Sequence, residues 1–245
     1  MQCSLIQRFV ARQHGVRIHR ARARYPLHVV IAQTDNQDAR RSMIDFKAYD
    51  FHPAILFPGD GTPPVVDLTA DYDRDRLRAL TWAIGRYDEV RTQAMYSAPQ
   101  YDSERRVHMG IDIWAPAGTP VYACYDGIVA ACTHHNEPGN YGGTIITRHK
   151  PGDTPFWVLY GHLSAESAAR YEEGASICAG SVLGALGDTH ENGGWVPHLH
   201  FQVALHPPTG GDYPGVVRPQ DRDAARQHYP DPRHILGPLY RETEQ

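Results

Sequence analysis

The histidines carry the first chemical signal in this chain. Fifteen occur in 245 residues. Most of them, from His14, His19 and His28 to His206, His228 and His234, sit in arginine-rich, polar or turn-like stretches. A surface or supporting place is the ordinary expectation there. The run His198-Leu199-His200 differs. In a strand, residues i and i+2 share a face, so both imidazoles point one way while Leu199 turns to the core. Such a pair can meet a metal, and imidazole is a normal zinc ligand; a chance pair on an exposed strand is the alternative. His108 and Asp112 form a second pair. Met109-Gly110-Ile111 between them is poor helix material, so in an extended segment the two share parity and can face one cavity. A carboxylate with two imidazoles supplies three ligands and leaves a fourth position for water, as hydrolytic zinc requires. The third element is Tyr160-Gly161-His162-Leu163-Ser164. A histidine at a strand end opens into a cleft and suits acid or base work, or is simply buried and hydrogen-bonded. Spacing alone therefore singles out five side chains, without separating ligand from base within the pair His198 and His200.

These residues need strands to hold them. From Val107 to Val203, short β-rich runs alternate with Gly and Pro: Ile111–Trp114, Val121–Ala123, Gly127–Cys132, Thr144–Arg148, Phe156–Tyr160, Val182–Leu186 and His198–Ala204. Such spacing predicts a mainly β protein built on a compact antiparallel β-sheet domain over residues 107–206. Pro116-Ala117-Gly118-Thr119-Pro120 and Gly142-Gly143 are breaks between runs. Upstream, residues 43–106 form an N-terminal extension with a strand near Val65–Leu68. There Leu77, Leu80, Ile84 and Tyr87 recur at helical spacing and predict one helix over about 73–91, packed on the sheet. Residues 207–245 are polar and Pro-rich and are expected to wrap over the domain.

Composition narrows the class further. High glycine and proline content (22 and 19 residues) argues against a helical bundle, a coiled coil or a collagen-like chain. A net charge of -4 gives no support for a nucleic-acid partner. Charge is uneven, however. Residues 1–42 hold eight arginines against two aspartates, a net of +6, so the remainder carries -10. That start reads as a disordered or loosely held segment, with a short strand conceivable at Leu27–Ile31 and Met43 as an alternative start. No stretch approaches the roughly 18 apolar residues of a membrane span, and no apolar run follows the first residues as an export signal would need. Four cysteines without Cys-x-x-Cys spacing are ordinary for a reducing compartment, with one disulfide left open. The expectation is a soluble, cytoplasmic protein.

The three elements, taken in order, resemble the zinc metallopeptidases of the M23 family, the lysostaphin and LytM-like peptidoglycan endopeptidases. Family members carry His-x-x-x-Asp, a His before Leu-Ser, and a closing His-x-His. Here these are His108 with Asp112, His162, and His198 with His200. Intervening text also matches, including Gly110 to Ala123, Asp126-Gly127-Ile128-Val129, Tyr141-Gly142-Gly143-Thr144 and Pro197 to Phe201. The likeness covers about Val107 to Val203. It implies a lysostaphin/LytM-type fold, duplicated hybrid motif-like, and one Zn2+ per chain on His108, Asp112 and His200. It further implies His162 and His198 as the unliganded catalytic histidines, and hydrolysis of a peptide or peptidoglycan-like substrate. Tyr160, Tyr141 and Trp195 are candidates for the substrate groove. Departures occur at Trp195-Val196, where glycine is usual before Pro-His-Leu-His, and at Gln202, where glutamate is frequent. Outside the core, Gly85 to Arg91, Gly193-Gly194-Trp195 and Gly211 to Gly215 resemble M23 domains fused to class III aminotransferase and aminoglycoside-phosphotransferase-like domains. That likeness implies a stand-alone version, or one missing its usual partners, with aminotransferase- or kinase-like domains encoded elsewhere. Two other functions stay open: a cytoplasmic zinc amidohydrolase acting on a small amide, and a non-catalytic peptide-binding module.

Overall fold

The structure is a computed structural model that describes residues 44–241, apart from positions 60, 97, 99, 100, 102, 103 and 136. The arginine-rich start and the strand expected at Leu27–Ile31 lie outside the described residues. Everything below concerns the unit Met43–Gln245.

The β-branched and aromatic runs form strands, as their composition favours. In chain order these are β1 (Val65–Val66), β2 (Ala83–Gly85), β3 (Val107–His108), β4 (Ile111–Trp114), β5 (Pro120–Tyr122) and β6 (Gly127–His135). They continue as β7 (Gly142–His149), β8 (Phe156–Leu163), β9 (Ser176–Ile177), β10 (Val182–Ala185), β11 (His198–Ala204) and β12 (Val216–Val217). Eight of them make one sheet in the order β1-β2-β4-β11-β8-β7-β6-β9, and β10 with β5 and β12 with β3 make two small ones. Every pairing in the large sheet is antiparallel except β1 with β2. The fold is mainly β, with the strands close to where the sequence places them.

Alternation along β11 sets the architecture of the site. Leu199, Phe201 and Val203 enter the main core beside Ile113, Ile145, Val158 and Tyr160. His198, His200 and Gln202 therefore emerge on the opposite face. That face is covered in its turn: Met109, Tyr141, Ile146, Trp157, Leu159, Tyr213 and Tyr229 form a second apolar cluster. All eight residues of β8 are buried, which is why that strand reads as a continuous apolar run rather than an alternating one.

The helix expected over 73–91 is much shorter. It runs Arg74–Leu80 (α1), capped by the Asp73 side chain, which accepts from the amides of Asp75 and Arg76. Leu77 alone is buried on it. Thr81 then turns at φ +61, and Ala83-Ile84-Gly85 pairs with β4 at the Trp114, Ile113 and Asp112 positions. Ile84 sits at helical spacing from Leu77 but is a fully buried strand residue of the main core. Sheet pairing overrides the helical period here. The C-terminal segment is more than a polar wrap. Besides β12 it forms two helices after the short α2 (Ala165–Ala168): α3 (Arg222–His228) and α4 (Arg233–Leu236), and it contributes Tyr213, Tyr229 and Ile235 to the cores. No helix among the described residues is long and apolar enough to cross a membrane.

Candidate metal centre

Register brings two of the three motifs together. His200 lies directly opposite Asp112 of β4 on one side and Gly161 of β8 on the other. His108, on β3, is joined to β4 only through Met109-Gly110, and Gly110 is what lets the strands close over the site. A Cβ at Gly110 would fall 2.6 Å from His200 Cε1 and 2.8 Å from the Phe201 carbonyl oxygen.

The result is a compact triangle of donor atoms. His108 Nε2 lies 3.0 Å from His200 Nδ1 and 3.2 Å from Asp112 Oδ1, and His200 Nδ1 lies 3.1 Å from Asp112 Oδ1. Two ligands at about 2.0–2.1 Å from a tetrahedral zinc ion are about 3.3–3.4 Å apart, so the triangle is close to the size such an ion demands. Hydrogen bonding around it fixes which ring atoms face inward. A carbonyl oxygen can only accept, so His108 Nδ1 donates to the Arg86 carbonyl at 2.9 Å, which leaves Nε2 with its lone pair. The Gln202 amide donates to the Pro214 carbonyl at 3.3 Å, so its Oε1 accepts from His200 Nε2 at 3.0 Å, and Nδ1 keeps its lone pair. Arg91 donates to Asp112 Oδ2 at 2.7 Å, turning Oδ1 inward. Two imidazole lone pairs and a carboxylate oxygen thus converge with no proton between them. Such an arrangement is repulsive by itself and fits a divalent cation.

Two further histidines flank the triangle. His198 Nδ1 donates to the Val196 carbonyl at 2.7 Å, and His162 Nδ1 donates to the Asn192 carbonyl at 3.0 Å. Both therefore carry an unprotonated Nε2. Their ring centroids are 4.1 Å apart, and His198 Nε2 is 3.8 Å from Asp112 Oδ1. Trp114 stacks on the His198 ring at 5.3 Å. His162 reaches this place by an irregular route. Strand parity would send it to the core side with Tyr160, but the β7–β8 pairing shifts register between Gly143 and Ile145 and His162 adopts φ +61. That conformation costs a non-glycine residue about 1–3 kcal/mol and is found chiefly where function requires it.

Burial decides the charge states. All five side chains are at most 6% exposed. Burial, helped by the nearby Arg91 cation, presses His108 down to about 4. Burial also lowers His198, and burial with His198 and His200 beside it holds His162 well below the usual imidazole range. Burial pushes the Asp112 carboxyl up, but His108 and Arg91 outweigh it and keep that group well below the ordinary carboxylate value. The flanking imidazoles are thus neutral and able to accept a proton, and Asp112 is ionised.

Of the groove candidates, Trp195 lies beside the site, its ring 6.3 Å from His162 and its indole N–H donating to the Asn140 carbonyl at 3.1 Å. Tyr141 packs against His162 and His200 at 5.5 and 5.2 Å, but its hydroxyl turns away to the Tyr213 carbonyl. Tyr160 does not line the groove. It sits on the other face of β8 in the main core, fully buried, where its hydroxyl accepts from the Cys124 amide at 3.1 Å. Val196 needs no glycine-like conformation, because the positive φ angles before it fall on Gly193 and Gly194. Sequence reasoning passed over Arg91 as a functional residue, since an arginine in a polar stretch reads as a surface cation; its side chain is 1% exposed. The spacing Glu89-Val90-Arg91 was the available signal.

Residues 106–210 match Peptidase family M23. Among similar proteins, DD-carboxypeptidase/endopeptidase Mpg of Neisseria meningitidis serogroup B is 41% identical over 101 residues, covering 41% of this chain and 21% of that protein. Peptidoglycan DD-endopeptidase ShyA of Vibrio cholerae is 34% identical over 98 residues, covering 40% of this chain and 20% of that protein. The match thus spans about a fifth of the length of these relatives. Among solved structures, the catalytic domain of lysostaphin from Staphylococcus simulans aligns at 21% identity with a TM-score of 0.40, covering 61% of this chain and 96% of that one.

Proposed function

We propose that this chain is a zinc-dependent peptidase that hydrolyses an amide bond in a peptidoglycan-type peptide. The converging His108, Asp112 and His200 donors, with two neutral imidazoles beside them, carry the proposal. The M23 match and the two relatives named as acting on peptidoglycan or as DD-peptidases support the substrate class. Three protein ligands leave the fourth tetrahedral position free, which is the hydrolytic rather than the structural pattern.

Zinc held there supplies Lewis acidity toward the scissile carbonyl and an acidified water. The protein groups do the rest. The His162 and His198 Nε2 atoms face this centre as lone pairs, their Nδ1 protons held by the Asn192 and Val196 carbonyls. Between them they accept the proton of the attacking water and return one to the leaving amine. Once protonated, either ring also stabilises the developing oxyanion. Arg91 keeps Asp112 in place and Trp195 walls the site next to His162.

The test is metal content of the purified protein, measured together with cleavage of D-alanyl and glycyl peptides with and without a chelator. We expect one zinc per chain and chelator-sensitive cleavage. His200→Ala should lose the metal, whereas His162→Ala should keep it and lose turnover. Full activity in His162→Ala would refute the assigned roles, and a chain that takes up no zinc would refute the proposal itself.

A further inference from the structure

The metal centre draws on a part of the chain outside the stretch that matches the M23 family. Residues 86–91 precede residues 106–210, yet they touch two of the three donor residues. The Arg86 carbonyl takes the Nδ1 proton of His108 at 2.9 Å. The Arg91 guanidinium holds Asp112 Oδ2 at 2.7 Å. Backbone bonds align the segment with β3: Asp88 N–H to the His108 carbonyl at 2.7 Å, His108 N–H to the Glu89 carbonyl at 3.0 Å, and Arg91 N–H to the Arg106 carbonyl at 2.9 Å. Asp88, at φ +57, makes the turn, and its carboxylate is gripped by Arg222 of α3 at 2.7 and 3.0 Å.

The Glu89 and Arg91 charges in this segment are buried. Arg91 binds Glu89 Oε2 through Nε at 3.2 Å and the Tyr96 hydroxyl through NH1 at 3.2 Å. Glu89 Oε1 accepts from the Leu68 amide and from Arg86 NH1, each at 3.4 Å. The Arg91, Glu89 and Asp112 side chains are 1%, 3% and 2% exposed. Gly85 leaves the room for this, because a Cβ there would lie 2.8 Å from Arg91 NH2. A cation placed directly behind a metal ligand would repel the metal. Glu89 lies on the far side of Arg91 and compensates its charge, and is itself also paired with the part-exposed Arg86. That pattern suits an outer support for a metal ligand.

We propose that Arg91 is a positioning residue of the metal centre, locking Asp112 so that Oδ1 faces His108 and His200, with Glu89 cancelling the field of the guanidinium. The proposal rests on the metal-site reading above. It is tested on the full chain with Arg91→Lys, Arg91→Met and the double variant Glu89→Gln/Arg91→Met, which removes the buried Glu89–Arg91 pair together. The readouts are the zinc dissociation constant by competition with a chromophoric chelator, the visible spectrum of the cobalt(II)-loaded protein, and the thermal midpoint of the metal-free form. We expect Arg91→Met and the double variant to bind zinc about 10–100-fold more weakly and to show an altered cobalt spectrum. Arg91→Lys should recover part of the affinity, since the charge is kept but the fork that spans Asp112 and Glu89 is lost. Arg91→Met or the double variant with a wild-type thermal midpoint and zinc binding within about threefold of wild type, well short of the usual outer-support loss, overturns the proposal. Failure of the wild type itself to take up zinc strikes the metal-site reading instead.

Discussion

Gly110→Ala tests the packing of the centre with a single methyl group. Gly110 is not among the glycines at positive φ, so alanine can adopt its backbone conformation and the whole effect is steric. The new Cβ would lie 2.6 and 2.7 Å from His200 Cε1 and Nε2 and 2.8 Å from the Phe201 carbonyl oxygen, where ordinary contact begins at 3.4 Å. The His200 ring must therefore withdraw by about 0.7–0.8 Å, the difference between those distances. It has no slack to do so, because Gln202 holds Nε2 at 3.0 Å and Tyr141 packs on the ring at 5.2 Å. Overpacking of this kind costs about 1–3 kcal/mol of stability. Displacing one ligand from a triangle with edges of 3.0 to 3.2 Å should weaken zinc by about 10–100-fold. Turnover should fall on the order of 100-fold, as misplacement near 1 Å does in oriented sites. The assay is a chelator-competition titration with steady-state kinetics at saturating zinc. Gly61→Ala serves as the control, since nothing lies within 4 Å of its added Cβ. Wild-type zinc affinity and turnover in Gly110→Ala would refute the assignment of His200 to the metal and the packing argument behind it.

Two other perturbations separate supporting residues from chemical ones. Tyr160→Phe leaves the buried Cys124 amide without its acceptor. It should cost about 1–2 kcal/mol in denaturant unfolding with KM and kcat unchanged; a raised KM would return Tyr160 to the groove. His149 is fully buried, bonded to Thr147 and the Asp126 carbonyl, and burial lowers it to about 4. Its unfolded value is about 6.5, so the unfolded chain binds the extra proton between those limits and stability is lost as pH falls from 6.5 to 4, by roughly 3 kcal/mol. His149→Gln should show a shallower loss over the same window when unfolding is measured on the metal-free protein. Equal slopes for the two proteins would exclude the buried neutral imidazole.

The strands were legible because turn residues and β-branched runs act locally, and the faces of β11 were legible because alternation is a property of any strand. His198, His200, His108 and Asp112 could be grouped on that ground. His162 could not be placed by parity, since its face depends on a bulge and a positive φ that no local pattern announces. Tyr160, two residues before it, follows the regular parity and enters the core. Ile84 failed for a different reason. Its helical spacing from Leu77 is real, but Thr81 breaks the helix and the unpaired edge of β4 gives the next residues a better home.

The outer support of the site was invisible for a reason general to metal centres. Three of the four ring orientations are set by backbone carbonyls, those of Arg86, Asn192 and Val196, and a carbonyl has no signature in sequence. Only the fourth, at His200, uses a side chain, and there Gln202 stands where glutamate is frequent. An amide oxygen is a weaker acceptor than a carboxylate, so it raises the basicity of its imidazole less. Glu89, on the other side of the triangle, is paired with Arg91 and Arg86 and adds no net charge there. Asp112 Oδ1 is therefore the carboxylate oxygen that His108, His200 and His198 share, at 3.2, 3.1 and 3.8 Å.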